Sequence, residues 1–170
     1  MERTGVITMG GNALTLVGNA VKAGDRAPDF TVLDAKMAPK SLKDFAGKVK
    51  VISVTPSLDT PVSDLQIHWF NEDAASQPGD VAVLNLSMDL PFAIDRFCAT
   101  KGIEKVQALS DHKEASFGDA YGVLIKELRL LARSIFIIDK QDVVRYVQIV
   151  SEQRNKPDYD DAMKVLKTLF

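Results

Sequence analysis

Apolar residues recur along this chain with a period that shifts from two to about 3.6 and back, and those shifts predict its elements. Thr4 to Met9 and Ala13 to Val17 alternate around Gly10-Gly11-Asn12, which suits a β-hairpin. Phe30 to Asp34 reads as a strand and Ser41 to Phe45 as a short helical turn capped by Ser41. Lys48 to Thr55 is β-branched and apolar enough for a central strand, closed off by Pro56. A helix then runs from Thr60 to about Ser76, with Asp59 or Thr60 as cap and Pro61 in its first position. Val62, Leu65, Trp69 and Phe70 form its apolar stripe, Asp64, Gln66, Asn71, Glu72 and Asp73 cover much of the rest, and Gln77-Pro78-Gly79 ends it. Val81 to Ser87 is the next buried strand, so the three elements make a right-handed βαβ unit with parallel strands. Pro91 to Lys101 reads as a helix carrying Cys98, Val106 to Ser110 as a strand and Ala115 to Tyr121 as a helical turn. Arg133 to Asp139 and Val143 to Val150 flank an Asp139-Lys140-Gln141-Asp142 turn and should pair antiparallel. Pro157 and Asp158 start a closing helix through Phe170, with Ala162, Val165, Leu166 and Leu169 as its apolar face.

A hairpin, a βαβ half and a ββα half describe an α/β chain of thioredoxin-like fold. Its central mixed sheet is flanked by helices, and residues 1–18 form an N-terminal β-hairpin extension. No repeat or linker divides it, so residues 1–170 are expected to be one domain. A net charge of −2 offers no footprint for nucleic acid or an anionic membrane. No apolar stretch is long enough to span a bilayer, and the acid at position 2 with no apolar run behind it argues against a leader, which predicts a cytoplasmic protein. One cysteine, Cys98, allows no internal disulfide, and two histidines, His68 and His112, are too few for a zinc site, so neither metal nor cofactor is expected.

The candidate chemistry lies in PSLDTPVS, residues 56–63. Ser63 falls in the first turn of the long helix, where unpaired amides and the positive end of the helix dipole stabilise an anion. A serine hydroxyl is not an anion near neutrality, whereas a cysteine there would become one. A serine nucleophile is not supported: there is no Gly-x-Ser-x-Gly elbow and no histidine spaced to serve Ser63.

PSLDTPVS resembles the peroxiredoxin signature Pro-x-x-x-Thr-x-x-Cys, matched at Pro56 and Thr60, with Ser63 where the nucleophilic cysteine belongs. Together with AGKVKVISVTPS upstream, DLPFAIDRFC (Asp89 to Cys98), FGDAYGV (Phe117 to Val123) and LLARSIFIID (Leu130 to Asp139), it is similar to the bacterial thiol peroxidase branch, the atypical two-cysteine peroxiredoxins. The resemblance implies reduction of hydrogen peroxide and organic hydroperoxides with thioredoxin as reductant. It also assigns roles: Thr60 hydrogen-bonds peroxide and sulfur, Arg133 holds the sulfur anion and polarises the peroxide, Pro56 shields the sulfur, and Cys98 is the resolving cysteine. It implies a homodimer as well, which we place beside the site near Trp69, Phe92 or Leu124.

Taken singly, each residue has a plainer reading. Ser63 is an ordinary first-turn serine, Thr60 an N-cap, Arg133 the wet end of a strand, Cys98 a small buried hydrophobe. His68 and Trp69 are explained by a helix face, and Asp89 and Asp95 by capping and solvation. Two origins fit a serine at 63: a Cys-to-Ser replacement, favoured by the intact surroundings, or a natural relative without peroxidase activity, acting as a redox-inactive binding or regulatory module on the same fold. In either case this chain is expected to be inactive as a peroxidase.

Overall fold

The computed structural model describes all 170 residues, and its first hairpin is tighter than a three-residue turn. Gly10 and Gly11 alone connect β1 (Glu2–Met9) to β2 (Asn12–Val17). Both have positive φ, 60° and 82°, which a two-residue type I′ turn requires and a side chain would resist. β3 (Thr31–Leu33) and β4 (Pro39–Ser41) form a second hairpin. The 3₁₀ turn Leu42–Phe45 follows, opened by Ser41, whose amide donates to Asp44 Oδ2 at 2.8 Å. β5 (Val49–Val54) is buried throughout.

α1 (Pro61–Trp69) continues as a π-helical turn, Phe70–Ala74. The helix expected to Ser76 is therefore present in two parts, and the wider turn lets Phe70 and Ala74 both face the core. β6 (Val81–Ser87), α2 (Pro91–Lys101), β7 (Gln107–Ser110) and α3 (Ser116–Ala120) follow. β8 (Leu124–Ile125) and β9 (Leu130–Leu131) are two-residue strands without a sequence signal. β10 (Ser134–Ile138), β11 (Val144–Ile149) and α4 (Tyr159–Lys167) close the chain. Asp158 caps α4 by accepting from the Asp161 amide at 3.0 Å.

The main sheet has the order β11-β10-β5-β6-β7-β3-β4. β5, β6 and β7 run parallel, as the βαβ unit requires, and β10 lies antiparallel to β5. A separate sheet, β1-β2-β8-β9, covers one face. The core on that side contains Ile7, Leu16, Ile52, Val54, Phe117, Tyr121 and Phe136. On the other face Val49, Val51, Ile135 and Ile137 pack with Ile67 and Phe70 of the α1 segment and Ala162 and Leu166 of α4. No helix is long and apolar enough to cross a membrane.

Candidate active site

Strand parity builds the site. Successive side chains along a strand face opposite sides, so Ser53 shares the helix-covered face with Val49 and Val51, and Arg133 shares it with Ile135 and Ile137. β10 is antiparallel to β5, with Ser134 opposite Val54, so Arg133 stands at the carboxyl end of β5, where α1 begins. The buried residues of the α1 segment are Ser63, Gln66, Ile67, Phe70 and Ala74, the first four spaced i, i+3, i+4, i+7. This corrects the stripe read from hydropathy: Leu65 is 69 % exposed, and Gln66, assigned to the polar face, is fully buried. The helix turns a polar end toward the sheet because the strand beneath it presents an arginine.

Arg133 is only 3 % exposed, so its plainer reading as a wet strand end does not hold. Its NH1 group donates to Ser63 Oγ at 3.0 Å and to Gln66 Oε1 at 3.1 Å, and its Nε donates to the Gln153 carbonyl at 2.9 Å. Gln66 is held in turn by Nε2, which donates to Ser53 Oγ at 2.8 Å and to the Val54 carbonyl at 3.2 Å. No carboxylate pairs with Arg133. Burial without a counter-charge pulls the guanidinium down to about 10, still protonated at neutral pH.

Thr60 has the extended backbone of an N-cap, φ −138° and ψ 150°, but its side chain caps nothing. Its hydroxyl donates to the Ser57 carbonyl at 2.9 Å and lies 2.7 Å from Ser63 Oγ. A hydroxyl has one proton, so with Thr60 donating to Ser57 it is Ser63 that donates to Thr60 while accepting from Arg133. An anionic sulfur in place of Ser63 Oγ would accept from Arg133, and from Thr60 once its proton turned from the Ser57 carbonyl to the sulfur. Pro56 is buried at the end of β5, where the chain turns toward α1. Thr60, Ser63 and Arg133 thus meet, with Pro56 in the loop behind them. Neither histidine serves Ser63; His68 Nδ1 lies 2.8 Å from the Asp64 carbonyl.

Cys98 stands apart. It is a free, half-buried thiol on α2, packed against the helix-side core, and shares no hydrogen bond with Ser63. Desolvation and, secondarily, Asp95 push its pKa up to about 11. α1 faces α2 with the residue after Ser63: Asp64 Oδ2 lies 3.3 Å from Lys101 Nζ.

Three polar residues in this region escaped the sequence reading. Gln66 and Gln153 clasp Arg133 from α1 and from the loop after β11. Asp89 reaches back to the Ser57-Leu58 loop instead of capping α2, whose N-cap, Leu90, makes no side-chain cap. A glutamine at a helical spacing of three from the candidate nucleophile was the one available signal.

The Redoxin family matches residues 22–163. The chain is 55 % identical over 161 residues to a thiol peroxidase of Halalkalibacterium halodurans, covering 95 % of this chain and 96 % of that one. To a thiol peroxidase of Bacillus subtilis it is 54 % identical over 163 residues, 96 % and 97 % of the two chains. Among solved structures, a peroxiredoxin-like protein from Aquifex aeolicus superimposes with a TM-score of 0.90 at 41 % identity, over 99 % of this chain and 98 % of that one. A thioredoxin-like sheet, a helix that buries its first turn on an arginine, and full-length likeness of this order together place the chain in the Redoxin family, among the thiol peroxidases.

Proposed function

We propose that position 63 is the nucleophile position of a thioredoxin-dependent hydroperoxide reductase, and that Ser63 leaves this chain with the site assembled but without its reactive atom. The observation that carries this reading is the meeting of Thr60, Ser63 and Arg133 at the start of α1. A thiolate at 63 attacks one peroxide oxygen. The S–O bond forms as the O–O bond breaks, and the departing oxygen takes up a proton and leaves as alcohol or water. Arg133 and the helix N-terminus favour the thiolate and offset the charge growing on the departing oxygen. Thr60 orients sulfur and substrate, and Pro56 keeps bulk water away.

The sulfenic acid so formed is attacked by the Cys98 sulfur; the S–S bond forms, the S–O bond breaks, and water leaves. Thioredoxin's two thiols reduce the disulfide and become a disulfide themselves. The 1–170 chain acts as one domain and as a homodimer. Of the interface candidates, Phe92 is the best supported: it is 70 % exposed and lines a groove with Leu58 and Asp59 of the site loop. Trp69 is stacked on Tyr159 instead, and Leu124 packs against the core.

The test is NADPH oxidation through thioredoxin reductase and thioredoxin. Ser63→Cys should turn over hydroperoxide, and the chain as it stands should not. Adding Cys98→Ser should leave one peroxide equivalent consumed per chain and no turnover. A Ser63→Cys protein that leaves peroxide untouched removes this reading in favour of a redox-inactive binding module. Sedimentation of a monomer at tens of micromolar would remove the dimer.

A further inference from the structure

Asp89 is a carboxylate used away from its own helix. Its Oδ1 accepts from Ser57 Oγ at 2.7 Å, and its Oδ2 accepts from the Leu58 amide at 2.8 Å and from Ser87 Oγ at 2.9 Å. Its backbone carbonyl takes the Ser110 hydroxyl from the end of β7. The residue is therefore fixed to two strand ends while its side chain grips the loop that precedes α1. The Ser57 carbonyl in that loop is the acceptor for the Thr60 hydroxyl. A chain of contacts runs from Asp89 through Ser57 to Thr60 and on to position 63. Asp89 also stands two residues before α2, the helix that carries Cys98.

We propose that Asp89 is a positioning residue, a latch between the site loop and the root of α2 that sets Thr60 against position 63 and holds the loop closed until the disulfide must form. This rests on position 63 being the nucleophile position. A carboxylate suits the task, because the Leu58 amide and two serine hydroxyls all donate to it and an ionised carboxyl accepts from all three without donating. An amide keeps one acceptor oxygen, so with its NH2 turned to the Ser57 hydroxyl it could hold the same contacts, and only removal of the side chain breaks them.

Opening the latch affects the two chemical steps in opposite directions. Loosening the Ser57-Leu58 segment lets Thr60 drift from position 63, so the hydroxyl that must turn its one proton from the Ser57 carbonyl to the thiolate is misplaced and peroxide attack slows. Position 63 and Cys98 share no hydrogen bond in the closed form, so the segments that carry them must shift before sulfur meets sulfur, and a looser loop hastens the second step.

The experiment compares Asp89→Ala and Ser57→Ala in the Ser63→Cys protein. Stopped-flow peroxide reduction should slow by about tenfold, the loss expected for one hydrogen bond to a charged group, while disulfide formation from the sulfenic acid should be as fast or faster. Thiolate absorbance should show the thiol introduced at position 63 titrating at higher pH in both variants. That readout separates positioning from charge: if Asp89 acted only through its negative field, Asp89→Ala would titrate lower and Ser57→Ala would be unchanged. Amide exchange in the Ser63 chain as it stands supplies a measurement independent of peroxidase activity. Asp89→Ala should expose the Leu58 amide to exchange at least about tenfold faster, by removing its acceptor. Equal exchange at Leu58, or equal peroxide rates and titrations across the variants, overturns the latch. A Ser63→Cys protein inert to peroxide overturns the proposed function, and Leu58 exchange still reports on the latch.

Discussion

The first turn of α1 and the middle of α2 carry the two positions at which thiol chemistry would occur, and they are built in opposite ways. Around Ser63 the hydrogen-bonding groups are polar and each is held by a further residue: buried Arg133 by Gln66 and Gln153, buried Gln66 by Ser53, half-buried Thr60 by Ser57. Around Cys98 the packing is apolar, and the surroundings raise the thiol's pKa instead of lowering it. An atom that must react with peroxide as an anion needs a site prepared in advance. One that reacts only after a rearrangement is better kept quiet until the surroundings change.

The largest test of this contrast is Arg133→Met in the Ser63→Cys protein. Removing the one buried cation at the site should cut the second-order rate with hydroperoxide by about 10²–10³, as for loss of one donor to a developing oxyanion, and should move the titration of the introduced thiol to higher pH. A loss under about threefold, measured by stopped flow, would show that helix and hydroxyl suffice without it.

Next in size is the quiet thiol. With its pKa raised to about 11, Cys98 in the present chain should be alkylated by iodoacetamide roughly a hundredfold more slowly at pH 8 than a free thiol. Because the thiolate fraction grows with pH until the pKa is passed, the rate should climb about tenfold per pH unit and level only near 11. Mass spectrometry against time measures it, and a plateau near pH 9 would mean that Cys98 is no different from a free cysteine.

The smallest effect is expected at Gln66. Gln66→Leu keeps the bulk but leaves Arg133 short of one acceptor, which should cost about 1–3 kcal/mol in urea denaturation of the present chain. In the Ser63→Cys protein the activity loss should be smaller than that of Arg133→Met, since the cation itself remains. An unchanged unfolding midpoint would mean that water replaces Gln66 at no cost.

The residues explain what could be read before the structure. Local chemistry announced itself: Pro61 after Thr60 opened α1, α2 runs Pro91–Lys101 as expected, and the Asp139 to Asp142 turn marked the last hairpin. Thr60, Ser63 and Arg133 were legible through the spacing of the signature motif and the Leu130 to Asp139 stretch. Hydropathy failed where a distant residue decided which face was buried. Gln66 looks like a surface residue until Arg133, on a strand 67 positions away in sequence, needs an acceptor in the core. Asp89 looks like a helix cap because its partners at Ser57 and Leu58 come from a different loop. β8 and β9 are too short to carry any period.

The hairpin at the front of the chain bears on how this protein can be divided. The Redoxin match begins at residue 22, yet β2 pairs with β8 inside the matched region, with Leu16 opposite Ile125 and Val17 opposite Leu124, and Ile7 and Leu16 are buried in the shared core. A boundary drawn at the Redoxin match therefore cuts through a sheet. A fragment trimmed to residues 22–163 would bare an unpaired strand edge and an apolar floor, and would be prone to self-association. The hairpin that completes the sheet lies outside the matched segment but inside the stretch shared with the thiol peroxidases.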